Sequence, residues 1–81
     1  MTFPYIENIS RNFVAFGDAK GDKCWYSYDT LIAFRVKGEL HILKNYWGPT
    51  TGKHLNTISR DKSVREDRDT FWAAWKRLTN D

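Results

Sequence analysis

The sequence predicts an α+β domain: a small antiparallel sheet of three or four strands, followed by two helices packed on one face of it, in the order β-β-β-α-α. Three observations carry this. Between Thr30 and Tyr46 the apolar residues Ile32, Phe34, Val36, Leu40 and Ile42 fall on alternate positions, the period-two signature of strands with one buried face. Gly48-Pro49 then ends the strand region, because proline has no N–H to offer a ladder. Beyond it, Phe71, Ala74, Trp75 and Leu78 recur at the i, i+3, i+4, i+7 spacing of an amphipathic helix.

Taken in order, the chain begins with an apolar lead-in, residues 1–10, where Pro4 keeps a regular helix out of the first positions. This stretch reads as an edge strand or a short helical turn. Arg11 to Phe16 reads as a strand, ended by the Gly- and Asp-rich loop Gly17 to Asp22, and Lys23 to Tyr28 as its antiparallel neighbour. Asp29-Thr30 marks a bulge or bend that lets the sheet curl, and the strand count is four if that bend is a full break.

The next reversal is at Lys37-Gly38, where glycine tolerates a positive φ. A loop that keeps even positions opposite even positions joins Ile32 and Phe34 to Leu40 and Ile42 on one apolar face. A two-residue loop instead sets Phe34 opposite His41 and Arg35 opposite Leu40. The first register is expected, since a slip of one residue sends a whole strand's side chains to the other face. Arg35, His41 and Asn45 then share the second face with Leu31, Ala33 and Leu43, which is too apolar to lie wholly in water.

Thr50 or Thr51 is suited to N-cap the first helix, with Leu55 and Ile58 facing the sheet. Ser59 to Lys62 is a polar joint, and Ser63 with Glu66 has capping-box spacing for the second helix. Acids at 66, 67 and 69 and the basic pair Lys76-Arg77 suit the two ends of that helix's dipole. Trp72 lies off the apolar stripe, within one turn of Arg68 and Lys76.

A chain of 81 residues makes one domain, expected over 1–81. So small a core must draw on large side chains, and four Trp, four Tyr and five Phe supply them. One cysteine, Cys24, excludes an internal disulfide. The first residues lack the charge and apolar run of a secretory leader, and no stretch approaches the ~20 apolar residues needed to cross a bilayer. A cytoplasmic location without membrane contact is the expectation. The net charge of +3 and pI of about 9.2 are compatible with nucleic acid without requiring it.

Gly48-Pro49-Thr50-Thr51-Gly52-Lys53 invites comparison with a phosphate-binding P-loop, but the glycines are one residue too close and His54 stands where a magnesium-binding hydroxyl belongs. An anion bound more simply at a helix N-terminus, with Lys53 beside it, stays open next to plain capping. His41 and His54 are the only imidazoles, no pair has zinc-site spacing, and Cys24 reads as a structural thiol. No cofactor, metal or catalytic constellation is expected.

The segments Tyr26-Ser27-Tyr28-Asp29-Thr30-Leu31-Ile32-Ala33 and Tyr46-Trp47-Gly48-Pro49-Thr50-Thr51-Gly52-Lys53-His54-Leu55-Asn56, with a hairpin between them, resemble small, functionally uncharacterised domains encoded by bacteriophages. Those have a Ser-Tyr strand start, a hairpin and a Thr-Thr-x-Lys-His helix start. The resemblance covers about residues 24 to 58. It implies a small accessory protein of infection, acting in the host cytoplasm on nucleic acid or on a host protein, and carries over no catalytic residue.

Two functions follow as expectations. The first is a non-catalytic module that binds DNA or RNA: Thr50, Thr51, Lys53 and His54 hold phosphates, Arg60, Lys62, Arg65 and Arg68 extend the basic surface, and Trp47 or Trp72 stacks on an unpaired base. The second is an inhibitor or modulator of a host protein, using exposed Trp, Tyr and Arg or a free sheet edge.

Overall fold

The computed structural model describes residues 5–80, so the reading placed on Pro4 lies outside the described residues. Five strands come first: β1 (Tyr5–Ser10), β2 (Phe13–Gly17), β3 (Lys23–Ser27), β4 (Thr30–Val36) and β5 (Glu39–Leu43). Helix α1 (Pro49–Ile58), a single 3-10 turn (Lys62–Val64), strand β6 (Arg65–Glu66) and helix α2 (Arg68–Thr79) complete the chain. The strands lie side by side in sequence order, all antiparallel except that β6 runs parallel to β5.

The α+β class holds, but a sheet of three or four strands does not: there are six among the described residues. From Tyr5 on the lead-in is the edge strand β1, Tyr28-Asp29 is a complete reversal, and β6 returns beside β5 after the helical crossover. The bulge expected at residues 29–30 falls inside β4 instead. Trp25 pairs with Ala33 but Tyr26 with Leu31, leaving Ile32 as the extra residue.

The β4–β5 register also differs from expectation. Phe34 stands opposite His41 and Arg35 opposite Leu40, so the turn is the two-residue Lys37-Gly38. Both residues take positive φ, 53° and 81°. That is the primed turn whose twist matches the flanking strands, and the match outweighs the strain of a lysine in the left-handed region. Even positions of β4 therefore share a face with odd positions of β5.

That register gives the sheet two apolar faces, and a helix covers each. Cys24, Leu31, Phe34, Val36 and Leu43 pack with Phe71, Ala74 and Leu78 of α2. Phe13, Ala15, Trp25, Ile32, Ala33 and Ile42 pack with Leu55 of α1, and Ile58 lies against them. The clusters use alternate residues along β3 and β5, so the helices sit on opposite faces and not on one. Phe34 is the hub beneath α2, its ring about 5 Å from those of Phe71 and Trp75. Cys24 lies in this layer, where burial pushes its thiol up to about 11, as befits an inert packing residue.

The helix starts differ from expectation as well. Gly48 is the N-cap of α1, Pro49 follows, and no side chain caps the end. Thr51 turns inward instead. At α2 the cap is Asp67, whose carboxylate accepts from Thr70 N–H at 2.8 Å, while Ser63 belongs to the 3-10 turn and bonds Asp61. The capping-box spacing of Ser63 and Glu66 is thus divided between a turn and β6.

Candidate functional site

The loop from Lys44 to Gly48 joins β5 to α1 and carries the exposed side chains of Lys44, Tyr46 and Trp47. Asn45 shapes it. Its carbonyl accepts from Trp47 N–H at 2.9 Å and its amide donates to Gly48 C=O at 3.1 Å, a local turn of the kind asparagine favours. Gly52, on the first turn of α1, leaves room for this: a Cβ there would lie 3.1 Å from the Asn45 amide nitrogen. Held this way, Tyr46 and Trp47 stand out from the fold, 42% and 44% exposed, with their rings edge to face.

Arg68 reaches this loop from the start of α2. Its guanidinium carbon lies 4.3 Å from the Tyr46 ring centroid, and its backbone N–H donates to the Tyr46 hydroxyl at 3.2 Å. Trp72, 40% exposed, follows one turn later on the same side of α2. It meets Phe71 and Trp75 edge to face, and Arg68 lies on Tyr46 and not on Trp72. Thr50 and Lys53 are exposed at the start of α1, where no acid occupies the first turn. Lys44 is exposed at the beginning of the loop, and its charge helps hold the Asp67 carboxyl below its usual range, after the dominant hydrogen bonds from Thr70.

The structure thus brings together Trp47 and Arg68 of the expected residues, through Tyr46; Thr50 and Lys53 follow the loop on α1 and Trp72 follows Arg68 on α2, helices that cover opposite faces of the sheet. Tyr46 and Lys44 join them. Sequence reasoning missed these two, and the loop's composition, Lys-Asn-Tyr-Trp before Gly-Pro, is the signal that could have found them.

Other expected residues lie elsewhere. Thr51 and His54 face inward from α1 and meet Ser27 at the end of β3, all three buried. The Ser27 hydroxyl is 2.7 Å from His54 Nδ1 and 3.0 Å from Thr51 Oγ1, and the His54 ring stacks on Phe13 with centroids 4.5 Å apart. Burial lowers the His54 pKa and keeps the ring neutral. Neither residue offers surface to a phosphate, so both belong to the bond between α1 and the sheet. A hydroxyl beside an imidazole is also the geometry of a nucleophile and its base. Ser27 is 2% exposed, so its hydroxyl lies within the core between α1 and the sheet.

Arg60 and Lys62 are exposed beyond the far end of α1, a helix whose ten residues span roughly 15 Å. Arg65, in β6, is half-buried and donates to Asn56 Oδ1 at 2.8 Å, while its Nε is buried without a partner. It ties β6 to α1. His41 bridges two carboxylates, Glu66 through Nδ1 and Glu39 through Nε2, and Glu39 also receives both terminal guanidinium nitrogens of Arg77. These hydrogen bonds join β5, β6 and α2. Among the described residues no group of three His, Cys, Asp or Glu is placed to hold a metal, and no helix is long and apolar enough to cross a membrane.

The model of a family of unknown function, DUF8033, matches residues 5–74, and the chain belongs to that family. No curated protein and no solved structure matches it.

Proposed function

We propose that the protein is a non-catalytic module that binds single-stranded nucleic acid on the surface formed by the 44–48 loop, the start of α1 and the start of α2. The observation that carries this is the Arg68 guanidinium laid over exposed Tyr46, with Trp47 beside it at an uncapped helix N-terminus. Exposed aromatic faces give bases a stacking platform, and the cations and free helix N–H groups attract the phosphates between them. Both kinds of contact are needed for a flexible strand, and Tyr46, Trp47 and Arg68 supply both.

Unpaired bases are favoured over duplex because the exposed aromatics Tyr46 and Trp47 sit on a loop, whereas duplex reading needs an element shaped to a groove. Asp67 and Asp69 lie close to Arg68 in sequence and temper the positive field, so modest affinity with a shallow salt dependence is expected. An accessory role in phage infection is the setting suggested by the Ser-Tyr and Thr-Thr-x-Lys-His likeness.

The test is binding of labelled single- and double-stranded DNA and RNA at low and near-physiological salt. Single strands should bind, and Trp47→Ala should weaken them by roughly 5- to 100-fold, the loss of one stacked base. Arg68→Ala should weaken binding and flatten the salt dependence. Absence of binding at low salt, or equal binding by Trp47→Ala, would contradict the proposal.

A further inference from the structure

Helix α2 covers only part of its side of the sheet. It packs on β3, β4 and β5 through Cys24, Leu31, Phe34, Val36 and Leu43. Val14 and Phe16 of β2 face the same side, since Val14 pairs with Tyr26 and Phe16 with Cys24, yet both are half-buried and lie outside that cluster. Here the surface forms a groove of about 470 Å³, lined by Val14, Phe16, Cys24, Tyr26, Tyr28 and Asp29. That volume falls within the ~300–1,000 Å³ of small-ligand pockets.

Two features give the groove a chemistry. The rings of Phe16 and Tyr26 meet at 89° with centroids 5.4 Å apart, so two aromatic walls stand at a right angle. The Tyr28 ring is not a third wall, because it leans toward His54 on the α1 side, 6.4 Å away. The second feature is Asp29. It is the one carboxylate of the lining, it is exposed, and it takes no hydrogen bond or ion pair among the described residues. No lysine or arginine lines the groove, and Lys23, beside Cys24, lies over Trp25 and pairs with Glu7 at 3.0 Å. In a chain of net charge +3, this is a negative site bounded by ring faces.

We propose that this groove binds a small quaternary ammonium compound. Aromatic faces are electron-rich, and a cation in a right-angled corner meets two of them at once, whereas a flat neutral ligand stacks on one. Asp29 balances its charge from the mouth of the groove. Alkylation of the nitrogen selects the ligand further. A primary ammonium brings three donors that need acceptors in place of water, and the side chains of Val14, Phe16 and Cys24 do not supply them. A quaternary nitrogen has no N–H to satisfy and is held by aromatic surroundings. The groove uses none of Tyr46, Trp47 or Arg68, so this site and the nucleic-acid surface stand or fall separately.

The test is an NMR titration of the full chain with choline through the millimolar range. Two controls accompany it: sodium chloride at matched ionic strength, and dimethylbutanol, which has choline's shape without its charge. Choline should shift Val14, Phe16, Cys24 and Tyr26 saturably, and the uncharged isostere should bind roughly tenfold more weakly, having lost the attraction of a cation to the rings.

Two variants locate the contacts. Tyr26→Leu removes one wall and should weaken choline by roughly 2- to 30-fold. Asp29→Asn, at an exposed turn position, should weaken it by roughly 2- to 5-fold and leave the isostere unchanged. Circular dichroism checks that both are folded. No saturable shift at the groove, equal binding of the isostere, or wild-type affinity for choline in Asp29→Asn would overturn the proposal.

Discussion

Ser27, Thr51 and His54 show how three polar side chains can serve the core. A buried hydroxyl or imidazole left unpaired costs about 1–3 kcal/mol, so each of the three depends on the others. Ser27→Ala should therefore destabilise the protein by about 1–3 kcal/mol in denaturant melts, more than the loss of one oxygen from a surface serine. His54 adds a pH dependence. Its pKa in the folded chain is lowered by burial, so folding favours the neutral ring. The stability this provides is whole above the ordinary imidazole pKa of 6.5 and falls as pH drops through that value toward the folded one. Melts at about pH 7.5 and about pH 5.5 should show a loss on acidification that is smaller in His54→Gln, whose amide does not titrate in this range. An equal loss in both would assign the effect to other groups. Sequence marked Thr51 and His54 as surface residues because their inward direction depends on Ser27, 27 positions before His54, and no local pattern encodes so distant a partner.

Elements were legible where the pattern is long, and obscure where a few residues decide. The alternation through β4 and β5 and the apolar stripe of α2 each repeat often enough to be read. β6 has two residues and no period at all, and the β4–β5 register turns on whether Lys37 accepts the left-handed region. The turn's energetics are directly testable. Lys37→Asn replaces a strained lysine by a residue that enters this region more readily, creating the Asn-Gly pair preferred in primed turns. It should stabilise the protein by roughly 0.5–1 kcal/mol, a rise of a few degrees in Tm for a domain of this size. Gly38→Ala, at a φ of 81°, should lower it. On the other side of the sheet, Leu55→Ala removes the only fully buried apolar side chain of α1 and should cost about 2–5 kcal/mol. If α1 were loosely attached, that variant would melt with the wild type.

At the scale of the whole molecule, the helix on each face is what separates the structure from its sequence-based expectation. A single covered face would have left Leu31 and Leu43, or Ala33 and Ile42, in water; the bulge at Ile32 and the two-residue turn divide these residues between two cores. The arrangement also sends the proposed nucleic-acid surface to the β5–β6 side of the sheet and the open edge to the β1 side.

The most direct test of the binding surface is an amide-resolved NMR titration of the wild-type protein with a short single-stranded oligonucleotide at low salt. We expect shifts concentrated at residues 44–48, at Thr50 and Lys53, at Arg68 and Trp72, and at the Trp47 indole N–H, with Ser27 and His54 little moved. Shifts confined to the β1 edge, or none at saturating oligonucleotide, would contradict a nucleic-acid site on this loop.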